Sequence, residues 1–345
     1  MGLSNGNVER TKETNTAWLD MRKQWSENDA VRDKGLCEPG KIIKLRNLDY
    51  KTPFGNRKMK TMLEAESVRA VSDKLIETRI NCSDFASAEY VSSSLFDVYI
   101  PQTDKEKYPV ILSVHGGGWF YGDKELYRFY CMDMAKRGFA VINMNYRLAP
   151  ENIYPAAIED VCLCVRYISE HAEALKLDMD HFYMAGDSAG AQLVTNYSII
   201  ATNEAYRKMV DFETCDIVPK AVALNCGIYE MREIKGGIHD WYLYGKYPDK
   251  PECERTANGN RLDLFLLQLD YMTDKFPPAY LMCSVNDALM VHTAAMKKKL
   301  EDLNIRHVYR EYGQENLDSG HVFHLDLYNP EGRKCNDEEA EFFAQ

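Results

Sequence analysis

Residues 184–192 read MAGDSAGAQ. One serine, Ser188, stands between Gly186 and Gly190, with nothing bulky after it until Gln192. A helix interior loses roughly 1 kcal/mol for each glycine relative to alanine, so helix formation does not explain the spacing. The apolar run HFYMAG (181–186) precedes the serine and the helical stretch AGAQLVTNYSIIAT (189–202) follows it. This places Ser188 on a strand-to-helix turn. Glycines on either side let strand and helix approach closely while the turn residue takes a strained backbone. Such a turn lifts the serine Oγ to the carboxyl edge of a sheet. It also puts it at a helix N-terminus, where free N–H groups favour developing negative charge. The pattern is that of a presented nucleophile; an inert turn is the structural alternative.

Around this turn the chain alternates. SSLFDVYI (93–100), YPVILSVHGG (108–117), FAVINMNY (139–146), AVALNCG (221–227), AYLMCSV (279–285) and RHVYREY (306–312) read as strands. ELYRFYCMDMAKRG (125–138) and AAIEDVCLCVRYISEHA (156–172) read as helices. Short apolar runs alternating with helices indicate βαβ units on a mostly parallel sheet covered on both faces, an α/β class. Residues 1–75 look helical and charged, with Trp18, Met21 and Trp25 at helical spacing. The tyrosine-rich stretch 228–275 is too long for a simple connection and reads as an insertion. The expected division is an N-terminal helical cap segment (1–77), a core (78–227 and 276–345) and a cap insertion (228–275).

With 45% hydrophobic residues, the chain can bury the core of one large domain. A net charge of −11 without a basic stripe argues against nucleic acid and anionic membrane as partners. The first residues carry no signal-peptide core, and Gly6 stands where myristoylation wants Ser or Thr. No apolar stretch reaches membrane-spanning length. The ten cysteines are scattered, and C-x-C at Cys162 and Cys164 is neither a redox nor a zinc spacing. Buried thiols in a reducing, cytoplasmic compartment are expected.

A second glycine cluster follows a strand directly: VHGGGW (114–119). Its backbone N–H groups can approach a ligand closely. Those of Gly116 and Gly117, with that of Ala189, would form a three-donor oxyanion hole for a carbonyl attacked by Ser188. The alternatives are a flexible turn or a phosphate nest; the latter wants Lys-Ser/Thr after the glycines, where Trp119 and Phe120 stand. His115 reads as a loop-shaping residue.

A serine hydroxyl needs a base. DSGHVFHL (318–325) supplies His321 and His324 after the last strand, and Gly320 favours His321. The orienting carboxylate should end another strand, and AYLMCSVNDALM places Asp287 there, just ahead of a helix beginning near Val291; an N-cap aspartate is the structural alternative. Asp187 is read as structural. H-x-x-H at 321 and 324 lacks the metalloprotease pattern, so no metal and no cofactor are expected. Trp119 and Phe120, with Trp241 or Tyr242 as further candidates, are expected at an apolar substrate pocket.

Taken together, these motifs resemble the hormone-sensitive-lipase-like serine esterases of the α/β-hydrolase fold. VHGGGW resembles that family's oxyanion motif, NYRLAPENIYPAAIEDV (145–161) its next segment and MAGDSAGAQ its G-D-S-A-G elbow. VNDAL and HVF occupy its acid and histidine positions, in the fold's order Ser, Asp, His. The resemblance runs from about residue 78 to the end. It implies Ser188 as nucleophile, His321 as base and acid, Asp287 as orienter and Gly116, Gly117 and Ala189 as oxyanion donors. It also implies that the N-terminal helices and part of 228–275 form a cap over an acyl pocket. Ala191 replaces a glycine usual after the elbow, and HVF replaces the more usual H-G-F. Arg147 and Glu151 in YRLAPE are read as bracing. The expected function is a carboxylesterase acting on small, short-acyl esters, with a homodimer possible. An amidase, peptidase or arylformamidase with the same triad, and a non-catalytic ligand receptor on this scaffold, are the alternatives.

Overall fold

A computed structural model of the chain describes residues 17–51, 56–70, 76–77, 94–231, 237–245, 262–314 and 318–345. Its main sheet is built from β1 (Ile42–Asp49), β2 (Leu95–Pro101), β3 (Tyr108–Val114), β4 (Ala140–Met144), β5 (Leu177–Asp187), β6 (Ala221–Asn225), β7 (Ala279–Ser284) and β8 (His307–Tyr312). The strands lie in the order β8-β7-β6-β5-β3-β4-β2-β1. Pairing is parallel from β8 to β4 and antiparallel where β2 meets β4 and β1. Every residue of β4, β6 and β7 is buried. Helices therefore cover both faces, and these strands read as continuous apolar runs instead of alternating ones. The expected α/β architecture, a mostly parallel sheet of α/β-hydrolase type, is the one observed.

The helices that matter for the site are α1 (Ala17–Arg32), α2 (Asn56–Ala70), α3 (Lys124–Lys136), α4 (Ala156–Glu170), α5 (Ala189–Thr202), α6 (Ile238–Tyr244), α7 (Met290–Asp302) and α8 (Pro330–Phe343). The α5 helix is buried along nearly its whole length, so it lacks a polar face. Its interior hydroxyls are satisfied locally: Thr195 donates to the Ala191 carbonyl and Ser198 to that of Val194, both at 2.8 Å.

One expectation fails. The helical reading of residues 1–75 holds for α1 and α2, but Ile42–Asp49 is the edge strand β1 of the main sheet. A register shift between Leu45 and Leu48 breaks its alternation, with Asn47 at φ +55°. That bulge hides the two-residue period on which a strand reading depends. Residues 1–16, the expected core start at 78, and 232–236 and 246–261 of the expected insertion lie outside the described residues.

The α1 helix is fastened over the glycine loop by a buried arginine. Arg22 donates to the carbonyls of Phe120 (2.5 Å) and Ala149 (2.6 Å) and pairs with Glu151 (2.9 Å). Trp25 meets Phe120 and Tyr121 edge-on, with ring centroids 5.0 and 5.5 Å apart. Arg147 instead pairs with Asp160 (2.9 Å) and Glu159 (2.5 Å). Both residues of YRLAPE thus brace the fold through partners outside that segment.

Candidate active site

The elbow follows from sequence constraints. Ser188 sits at φ +51°, ψ −119°, a conformation costly for any residue with a Cβ. A Cβ on Gly186 would lie 2.6 Å from the Gly190 backbone, and one on Gly190 would lie 2.1 Å from the Val114 carbonyl oxygen. Strand, turn and helix are that close, so only glycine fits at these two positions. The Ser188 N–H donates to the Asn225 carbonyl (2.9 Å), which ties the turn to the end of β6.

Three side chains named from sequence converge here. His321 Nε2 lies 3.0 Å from Ser188 Oγ, and its Nδ1 lies 2.7 Å from Asp287 Oδ2. A carboxylate only accepts, so Nδ1 carries the proton and Nε2 is left to accept from the serine hydroxyl. Asp287 Oδ1 accepts from the Leu289 N–H (2.8 Å). Burial works to raise the Asp287 carboxyl, but the hydrogen bond and charge of His321 outweigh it and hold it below the usual range. His324 is excluded from the pair. It is buried against Tyr130, and burial presses its imidazole down to about 3. Val322 takes φ +54°, strained for a β-branched residue, at the place where the related motif carries glycine.

The oxyanion expectation needs one correction. The Gly116 N–H donates to the Tyr127 hydroxyl (2.9 Å), so it is not available to a substrate. Gly117 and Gly118, at φ +104° and +58°, line the cavity beside Ser188 instead. Among the described residues no hydrogen bond takes up the N–H of either, and the Ala189 N–H is the first of α5, with no partner one turn earlier. Gly118 was overlooked because a run of three glycines does not show which of its amides is spent internally.

His115 shapes the loop as expected. Its Nδ1 donates to the Gly116 carbonyl (2.7 Å), its ring stacks on Tyr146 at 4.1 Å, and burial lowers it to about 4. Asp187 accepts from the Tyr127 hydroxyl (2.7 Å), and burial raises its carboxyl to about 7 against that bond. A carboxyl raised from 3.8 in the fold favours the folded state fully below about pH 4, and that contribution is lost as pH rises through about 7. Asp187→Asn removes this dependence. Its thermal midpoint should therefore gain on the native chain's between about pH 5 and pH 8. An offset identical at both values would contradict the assignment.

Trp119 and Phe120 are not pocket residues. Both are fully buried. Trp119 stacks on Tyr242 at 4.9 Å and donates to Gln192 Oε1 (3.0 Å), and Gln192 passes the chain on to Gln268 (2.8 Å). Trp241 and Tyr242 are buried with them, so the aromatic cluster is interior packing. The cavity, about 260 Å³, is walled by Trp25, Tyr121, Tyr127 and Leu325, with Asn28, Asp29 and Arg32 of α1. Arg32 is spent on Asp29 (2.8 Å) and Asp33 (2.7 Å), and the Tyr121 hydroxyl donates to Asp29 (2.6 Å). The Trp18, Met21, Trp25 stripe was the sequence signal that α1 docks; nothing local marked Tyr127 as a neighbour of the glycines.

Among the described residues, one group has donor atoms close enough to hold a metal ion: Cys226, Asp287 and His321, within 4.8 Å of one another. Two of these already bond each other. No described helix is long and apolar enough to cross a membrane.

Residues 96–300, more than half of the chain, match the BD-FAE family model. The chain belongs to the BD-FAE family. The resemblance to hormone-sensitive-lipase-like esterases also holds for this BD-FAE member. Esterase LipI of Mycobacterium tuberculosis is 40% identical over 99 residues, 28% of this chain and 31% of LipI. Carboxylesterase NlhH of the same species is 36% identical over 102 residues, 28% of this chain and 30% of NlhH. The matched segment spans about a third of the length of these curated relatives. The crystal structure of esterase B from Lactobacillus rhamnosis superposes with a TM-score of 0.72 at 20% identity, covering 98% of this chain and 96% of that one. At that identity it speaks to the fold.

Proposed function

We propose that this BD-FAE member is a serine carboxylesterase that hydrolyses small, short-acyl esters through an acyl-enzyme. The observation that carries the reading is the unbroken line Ser188 Oγ, His321, Asp287, with contacts of 3.0 and 2.7 Å, at the wall of a cavity. Ser188 Oγ attacks the ester carbonyl while His321 Nε2 takes its proton, and Asp287 stabilises the imidazolium without becoming protonated. The N–H groups of Gly117, Gly118 and Ala189 receive the oxyanion. His321 then protonates the leaving alcohol, and water repeats the cycle on the acyl-enzyme. The names of LipI, NlhH and esterase B agree with this chemistry. Helix α1 of the N-terminal segment and helix α6 of the 228–275 insertion act as the cap, and the sheet with its flanking helices as the core. The buried free thiols suit the cytoplasm.

A cavity of about 260 Å³ holds a short acyl chain better than a long one. Turnover of p-nitrophenyl acetate, butyrate and octanoate, set against an aryl amide and N-formylkynurenine, tests the substrate class. The expected kcat/KM is highest for acetate or butyrate and at least about tenfold lower for octanoate. Faster turnover of the amide or the formamide would overturn the ester reading in favour of an amidase or arylformamidase.

A further inference from the structure

We infer that Tyr127 and Asp187 are positioning residues that hold the glycine loop in its oxyanion-binding shape, acting through the Gly116 N–H; the inference rests on the esterase reading. Three consecutive glycines have no side chains to anchor them and the widest backbone freedom of any residue. Two of their N–H groups must nevertheless face one point beside Ser188. Something outside the loop has to remove that freedom.

Two peptide planes are held. The Gly116 N–H donates to the Tyr127 hydroxyl (2.9 Å), which in turn donates its single proton to Asp187 Oδ2 (2.7 Å). With that proton committed, the phenolic oxygen can only accept from Gly116, so the polarity of the chain is fixed. Burial holds the Tyr127 phenol well above its ordinary range, which keeps the proton in place. On the other side of Gly116, its carbonyl accepts from His115 Nδ1 (2.7 Å) and the Tyr146 hydroxyl (3.3 Å). In a planar trans peptide C=O and N–H point in opposite directions. A Gly116 carbonyl held toward His115 therefore turns the Gly117 N–H away from it, toward the cavity that Gly117 lines.

Asp187 closes the unit mechanically as well. A Cβ on Gly116 would sit 2.5 Å from Asp187 Oδ2, so the loop rests directly on this carboxyl. Asp187 is also the residue before Ser188. One side chain thus sets the distance between the nucleophile's turn and the loop that receives the oxyanion. Tyr127 comes from α3, 11 residues beyond Gly116 and 60 before Asp187, and is buried.

The test uses kcat per active site, counted with a fluorophosphonate probe, together with KM and the affinity for a trifluoromethyl ketone, whose hemiketal carries the oxyanion. Tyr127→Phe keeps the ring and removes both hydrogen bonds. The expected result is a kcat per site about 10–100-fold lower, KM within about twofold, and ketone affinity falling in step with kcat. Asp187→Ala should behave alike. Asp187→Asn keeps an oxygen that accepts from Tyr127 and should stay within about fivefold of the native chain. Were the two residues merely structural, Tyr127→Phe would lose thermal stability while kcat per site and ketone affinity stayed within about twofold, and the inference would be overturned with the esterase reading intact. A native chain that neither reacts with the probe nor turns over any ester would overturn the reading and the inference together.

Discussion

Ser188→Ala is expected to lower kcat by about 10⁴–10⁶-fold while leaving KM and the thermal midpoint nearly unchanged. The hydroxyl is the only atom lost. It contributes little to holding an ester in the ground state, because the cavity walls and the oxyanion amides do that. Its removal leaves His321 with no proton to accept and the substrate with no nucleophile. His321→Ala should fall to a similar level, and the double variant no further, because the two act as one unit. Steady-state kinetics on a short-chain p-nitrophenyl ester checks this. A Ser188→Ala enzyme within tenfold of the native rate would mean that another residue carries the reaction.

Asp287→Asn is expected to cost about 10⁴-fold in kcat, although the side chains are nearly isosteric. The reason lies in what already bonds the carboxylate. Oδ1 accepts from the Leu289 N–H at 2.8 Å and Oδ2 from His321 Nδ1 at 2.7 Å. A carboxamide has one accepting oxygen. Placed on the Leu289 N–H, it turns its NH₂ toward Nδ1, which must then give up its proton. The proton moves to Nε2 and faces Ser188 Oγ, 3.0 Å away, where an acceptor is needed. Asp287→Ala removes the orienter without forcing the wrong tautomer, so comparing the two variants separates tautomer from charge. Equal activity for Asp287→Asn and the native chain would remove Asp287 from the mechanism.

Most of the sheet was legible because its strands are short apolar runs closed by glycine or charge, and burial on both faces makes such runs continuous. The elbow was legible because Gly186 and Gly190 mark a backbone approach that no larger residue permits. Asp287 and His321 were legible because each ends a strand or opens a glycine-marked loop at the same edge. What stayed hidden depends on long-range geometry. The bulge in Ile42–Asp49 disguised a strand as part of a helical segment. That the Gly116 amide is spent was settled by Tyr127, a residue on the helix that follows the loop. Trp119 and Phe120 follow the glycines directly, yet the chain turns them inward, where Trp119 stacks on Tyr242. Part of the cavity wall comes instead from α1, far away in sequence, held in place by Arg22.

Peptide mapping by mass spectrometry after brief exposure to an organophosphate tests the central claim most directly. The expected outcome is one phosphoryl group per chain, on Ser188, with ester hydrolysis lost in proportion to its incorporation and the reaction slowed sharply in His321→Ala. Incorporation at another residue, or full esterase activity with Ser188 modified, would contradict the account.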